Sequence, residues 1–140
     1  MLVEYLGVFI GLWLVLATIV IQQIVLVRVH RSQKGYKVGV IDPSLGQSSL
    51  FFRAHRTFWN SMENIVPLMG FSIIAIITDY NPQRLTNIVW IYAVMRIIHM
   101  ILYYAIVTDK NPSPRSIFFI IGFGTTFYLM IDLLIHLVNL

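Results

Sequence analysis

The sequence has no cysteine in its 140 residues. Disulfides, thiolate metal sites and a cysteine nucleophile of the chain's own are therefore excluded, and any thiol chemistry must use a thiol carried in by a ligand. Charge is also scarce. Charged residues make up 11% of the chain, with six acids against ten Lys and Arg and a formal charge of +4, where a soluble domain carries about 25% charged residues. The apolar share is 58% and the mean hydropathy +0.78. A bilayer is the solvent that suits such a chain. The basic residues flank apolar runs and form no stripe on a polar domain, which argues against nucleic-acid binding. The length suits a single domain.

Four stretches meet the requirement of about 20 mainly apolar helical residues for a bilayer crossing. They run from about 3–29, 49–78, 85–107 and 116–138. The first is too long, and lacks the basic leading region, for a cleaved signal peptide. The connectors are polar or rich in turn residues: HRSQKGYKVGVIDPSLGQSS, DYNPQR and TDKNPSPR. The expected fold is an all-α, four-helix transmembrane bundle of up-down topology. Arg28, Arg31, Lys34, Lys37, Arg53, Arg56, Lys110 and Arg115 lie in or beside the first and third connectors, whereas the second holds only Arg84. Positive residues stay inside, so the first and third connectors are expected to face the cytoplasm and both termini the other side. Gly7 and Gly11, four apart, predict close approach of a neighbouring backbone.

Ionisable groups within a span are costly and generally face a protein interior or a wet cavity. Arg56, Asn60 and Glu63 share one stripe of the second span, and Arg96, His99 and Tyr103 share one of the third. At about 1.5 Å per residue, Glu63 and Arg96 both lie roughly 18–20 Å from the basic side, which predicts an ion pair between them. Arg28, Arg53, Arg56 and Arg115 gather at the same mouth with few acids to match. An anionic ligand would use them, because guanidinium groups clasp carboxylates in a bidentate way. Pro67 lacks an N–H and predicts a kink, or a free carbonyl at Glu63. Asp132 and His136, four apart, are too few for a metal site and predict a hydrogen bond with each other. Glu4, Asp79 and Arg84 read as solvated helix ends.

The two stripes carry motifs. RTFWNSME in the second span is R-x-x-x-N-x-x-E, and RIIHMILY in the third is R-x-x-H-x-x-x-Y. With four spans, these resemble the MAPEG family, the membrane-associated proteins in eicosanoid and glutathione metabolism. The likeness is to bacterial members and to microsomal glutathione transferase. It implies a homotrimer in the bacterial inner membrane that binds glutathione between subunits near the cytoplasmic side. By motif, Arg56, Asn60 and Glu63 would hold the glutathione backbone, with Arg96, His99 and Tyr103 lining the same site. Arg28 would reach glutathione from a partner subunit, and Arg53 belongs to the adjacent basic run. An arginine at the start of the fourth helix activates the thiol in the family, which nominates Arg115 with Ser116 beside it. Twelve positions and two prolines separate Tyr103 from Arg115, a longer gap than in relatives, and Phe119 stands where a tyrosine is frequent.

Three functions follow. The first is a glutathione transferase or peroxidase acting on lipophilic electrophiles or lipid hydroperoxides. The second is a binding protein that holds lipid or glutathione without turnover, like the five-lipoxygenase-activating protein of that family. The third is a small multidrug transporter, which would need a deep acid in the first span, where only Glu4 stands at the edge.

Overall fold

A computed structural model describes residues 2–140. Four helices account for most of them: α1 (Leu6–Arg31), α2 (Leu50–Ile77), α3 (Pro82–Ala105) and α4 (Pro114–Leu137). Each is long and apolar enough to cross a membrane, and no strand occurs among the described residues. Helix ends fall within three residues of the expected spans.

Short polar residues set the starts. The Ser49 hydroxyl accepts from the Phe52 N–H at 3.2 Å to cap α2, and Asn81 accepts from the Arg84 N–H at 2.9 Å to cap α3. Pro82 and Pro114 open α3 and α4, where the missing N–H costs nothing and the fixed φ suits a first turn. The helix α2 continues through Pro67.

The chain alternates direction. The α1–α2 and α3–α4 connectors share one end, called here the basic end, and the termini share the opposite end with the α2–α3 turn. The helices α2 and α3 form the middle of the bundle. Each packs against both α1 and α4, and α1 does not touch α4. Val8, Leu12, Leu68, Leu85, Val89 and Leu129 are buried between them. Large apolar side chains such as Trp13, Val66, Ile120 and Phe127 are exposed, as expected where lipid replaces water.

Gly7 and Gly11 serve packing within the chain. A Cβ at Gly11 would stand 2.7 Å from Val89 Cγ1, and one at Gly7 2.8 Å from Thr86 Cγ2. The close approach also lets Trp90 Nε1 donate to the Gly7 carbonyl at 3.0 Å.

A polar clasp closes the opposite end. The Tyr5 hydroxyl donates to the Tyr80 carbonyl, and the Tyr80 hydroxyl donates to Asp132. Arg84 Nη1 pairs with Asp132 Oδ2 at 2.8 Å. The expected Asp132–His136 bond is not formed, because each side chain reaches across to another element: His136 Nε2 lies 2.8 Å from the Thr78 carbonyl. The Arg84 side chain is 53% exposed, as expected of a solvated end, and also forms half of this ion pair. Burial, more than nearby carboxylates, raises the Tyr5 and Tyr80 phenols above their ordinary value and keeps both as donors.

Candidate functional site

At about 100° per residue, α2 sorts its own stripe into two directions. Ala54, Thr57 and Ser61 are buried, Arg56 and Glu63 are exposed, and Asn60 lies half-buried at the boundary. Arg96 on α3 is 5% exposed and meets α2 at that boundary. Its Nη2 donates to Asn60 Oδ1 at 2.6 Å and to Ser61 Oγ at 3.3 Å. The Glu63–Arg96 ion pair expected from matching depth is therefore not formed. Glu63 is exposed on α2, while Arg96 is turned to Asn60 and Ser61. Arg96 is left with neutral partners, and its Nε and Nη1 have none among the described residues.

A cavity of about 500 Å³ opens at the basic end beside this arginine. Asn60, His99, Tyr103, Arg115, Ser116 and Phe119 line it, with Gln47 from the α1–α2 connector and Asp109 and Lys110 from the α3–α4 connector. His99 is 4% exposed, its ring 5.4 Å from Tyr103 and 6.0 Å from Phe119. Its Nδ1 has no partner among the described residues.

The long α3–α4 connector does not carry Arg115 away from the third helix. The guanidinium carbon lies 4.2 Å from the centre of the Tyr103 ring, a cation–π stack. The same side chain braces the connectors. Its Nη2 donates to the Thr108 carbonyl at 2.9 Å, Nη1 to Gln47 Oε1 at 3.2 Å, and Nε to Ser113 Oγ at 3.5 Å. Ser116 Oγ accepts from the Ser113 N–H at 3.1 Å and tightens the first turn of α4.

Other nominated residues lie elsewhere. Arg53 is buried, and it donates to the Gln47 carbonyl at 2.5 Å and the Tyr104 carbonyl at 3.2 Å. It ties the α1–α2 connector and the end of α3 to α2. Arg28 is exposed on the last turn of α1, and Arg56 and Glu63 are exposed on α2. None of these four lines the cavity. Gln47, Thr108 and Phe119 were not singled out as site residues. The two connector residues reach it through loop conformation, which leaves no periodic signal, whereas Phe119 stands one turn beyond Arg115 and that spacing could have found it.

The arrangement is that of a four-span membrane protein with a cation-lined cavity near one end of its bundle. A model of the MAPEG family matches residues 8–135, and the chain belongs to that family. No curated protein and no solved structure gives a significant match.

Proposed function

We propose that the chain is a glutathione-dependent membrane transferase or peroxidase acting on lipophilic electrophiles or lipid hydroperoxides. The observation that carries this reading is the position of Arg115, stacked on Tyr103 at 4.2 Å in the cavity that Asn60 and His99 also line. The donor set suits a polycarboxylate peptide. A guanidinium has five donors, of which Arg115 uses three, and Lys110 lines the same cavity. A cation beside a thiol lowers its pKa and favours the nucleophilic thiolate. Arg115 would act in this way on a bound glutathione, with Ser116 as a second polar group at the same place.

A homotrimer completes the reading. Arg56 and Glu63 are exposed on a helix that is apolar enough to span. A charge left in hydrocarbon costs about 2.5–3.5 kcal/mol. Covering that face with another copy removes the cost and sets Glu63 where a glutathione ammonium would meet it. Arg28 on α1 is the counterpart from the neighbouring chain. In this arrangement the basic end faces the cytoplasm of a bacterial inner membrane, and the second substrate enters from lipid.

One observation favours the binding-only alternative: the hydrogen bonds that occupy Arg115 make it a brace of the connectors. Glutathione titration into the purified protein separates the readings. Binding with thiolate absorbance that disappears in Arg115→Ala supports the enzyme. Binding without that absorbance supports the non-catalytic protein. Affinity unchanged by both Arg56→Ala and Glu63→Gln overturns the site.

A further inference from the structure

Deeper than the ligand cavity, α1, α2 and α3 enclose a second, much smaller space. It offers about 10 Å³ to the centre of a water molecule and is lined by Thr18, Gln22, Ser61 and Arg96 among apolar neighbours. Gln22 is 1% exposed and Arg96 5% exposed. Gln22 Oε1, an acceptor, and Arg96 Nε and Nη1, both donors, have no partner among the described residues. Buried polar groups are almost always satisfied, by protein or by ordered water. A site holds one water when it offers roughly 10–15 Å³ and two to four polar partners. Both conditions are met here, on two side chains that are each more than nine-tenths buried.

We propose that this space holds one fixed water molecule that accepts from an Arg96 N–H and donates to Gln22 Oε1, and that Gln22 is thereby a positioning residue for Arg96. The second proton of the water has Ser61 Oγ or Thr18 Oγ1 as acceptor on the same wall. The consequence lies one step further out. Arg96 Nη2 holds Asn60 Oδ1 at 2.6 Å, and Asn60 lines the ligand cavity. The water therefore fixes, from behind, the arginine that orients the asparagine at the site. It links α1 to a site that α1 does not line.

The part of this inference that concerns ligand affinity rests on the glutathione reading above; the part that concerns the water does not. The test accordingly has two arms. The first is a high-resolution map of the wild-type protein without glutathione. Solvent density within hydrogen-bonding distance of both Gln22 Oε1 and Arg96 is expected. An empty space, or Gln22 bonded directly to Arg96, overturns the proposal. The second arm compares Gln22→Met, which keeps the length and loses the acceptor, with Gln22→Glu, which keeps it. Gln22→Met is expected to lower the melting temperature and to weaken glutathione binding by about tenfold, the size of one lost hydrogen bond. Gln22→Glu is expected to restore both. Equal behaviour of the two variants overturns the positioning role, because lost packing alone does not distinguish them. If the wild type binds no glutathione, the functional reading fails while the density and the melting temperature still decide the water.

Discussion

The two ends of the bundle use similar side chains to opposite effect. At the end that holds the termini, Arg84 meets Asp132, Asp132 also accepts from Tyr80, and His136 reaches the Thr78 carbonyl. Arg84 and Asp132 are matched to each other within the chain. At the basic end, Arg96 and Arg115 are buried among amides, hydroxyls, carbonyls and rings, and neither forms an ion pair among the described residues, although Asp109 lines the same cavity as Arg115. A buried cation without an anion is costly by itself. The first end therefore reads as a fastening and the second as half of a site, and the missing half is negative.

The strongest test of that contrast is Arg115→Ala. The expected outcome is loss of bound-glutathione thiolate absorbance and a fall in turnover of about 10²–10³-fold, the scale seen when one charge-stabilising donor is removed. Glutathione affinity should change far less than turnover. If Arg115 is only a brace, the variant instead loses thermal stability, and binding and turnover fall together. Next in size come Arg56→Ala and Glu63→Gln. Each removes one hydrogen bond to a charged group, worth about 1.5–3 kcal/mol, so glutathione affinity measured by calorimetry should fall roughly 10–150-fold. Both residues are exposed in a single chain, so the fold itself should tolerate the change.

Much of this contrast could be read in the sequence, and its failures share a cause. Helix number follows from apolar run length, a local signal, whereas α3 and α4 start three and two residues before the expected 85 and 116, because Pro82 and Pro114 were read as connector and instead open a first turn. Depth was legible to within about a turn, because rise per residue is fixed: Arg96 meets α2 at Asn60 and Ser61. Rotation was not. Asn60, Ser61 and Glu63 differ by about 100° per residue around α2, and a stripe drawn through Asn60 and Glu63 does not say which edge faces α3. Burial of Thr57 and Ser61 decided it, turning Arg96 between Asn60 and Ser61 and leaving Glu63 outside. The tie from Tyr5 through Tyr80 to Asp132 was missed because it joins three segments far apart in the chain. The bonds that Arg115 and Arg53 donate to Gln47 were missed because they depend on how the connector folds, and the bond from Arg53 to the Tyr104 carbonyl because it joins two helices far apart in the chain. The Asp132–His136 expectation erred by assuming that residues four apart bond to each other when a neighbouring helix offers better partners.

At the fastened end the effects should fall on stability and leave ligand binding alone. Tyr80→Phe removes the hydroxyl that the Asp132 carboxylate accepts from, and should cost about 1.5–3 kcal/mol, visible as a lower melting temperature in detergent with glutathione affinity unchanged. Gly11→Ala probes the packing next to it. A Cβ there would stand 2.7 Å from Val89 Cγ1, so α1 and α3 must part slightly, at about 1–3 kcal/mol. A loss of glutathione affinity in either variant would mean that the two ends are coupled.

The smallest effect is expected from Arg84→Gln. Its partner Asp132 keeps the Tyr80 hydroxyl, and the Arg84 side chain is 53% exposed. An ion pair in contact with water contributes little, because solvent screens it and two long side chains must be ordered to form it. The melting temperature should therefore shift by no more than the scatter between preparations, and added salt should not change the difference. A large loss would place Asp132 in lipid and not in water, since an uncompensated carboxylate is tolerated at an aqueous boundary and expensive in hydrocarbon. The comparison between the ends would then change in kind. Both would hold buried charge, and only the end with its counterion inside the chain would be complete without a ligand.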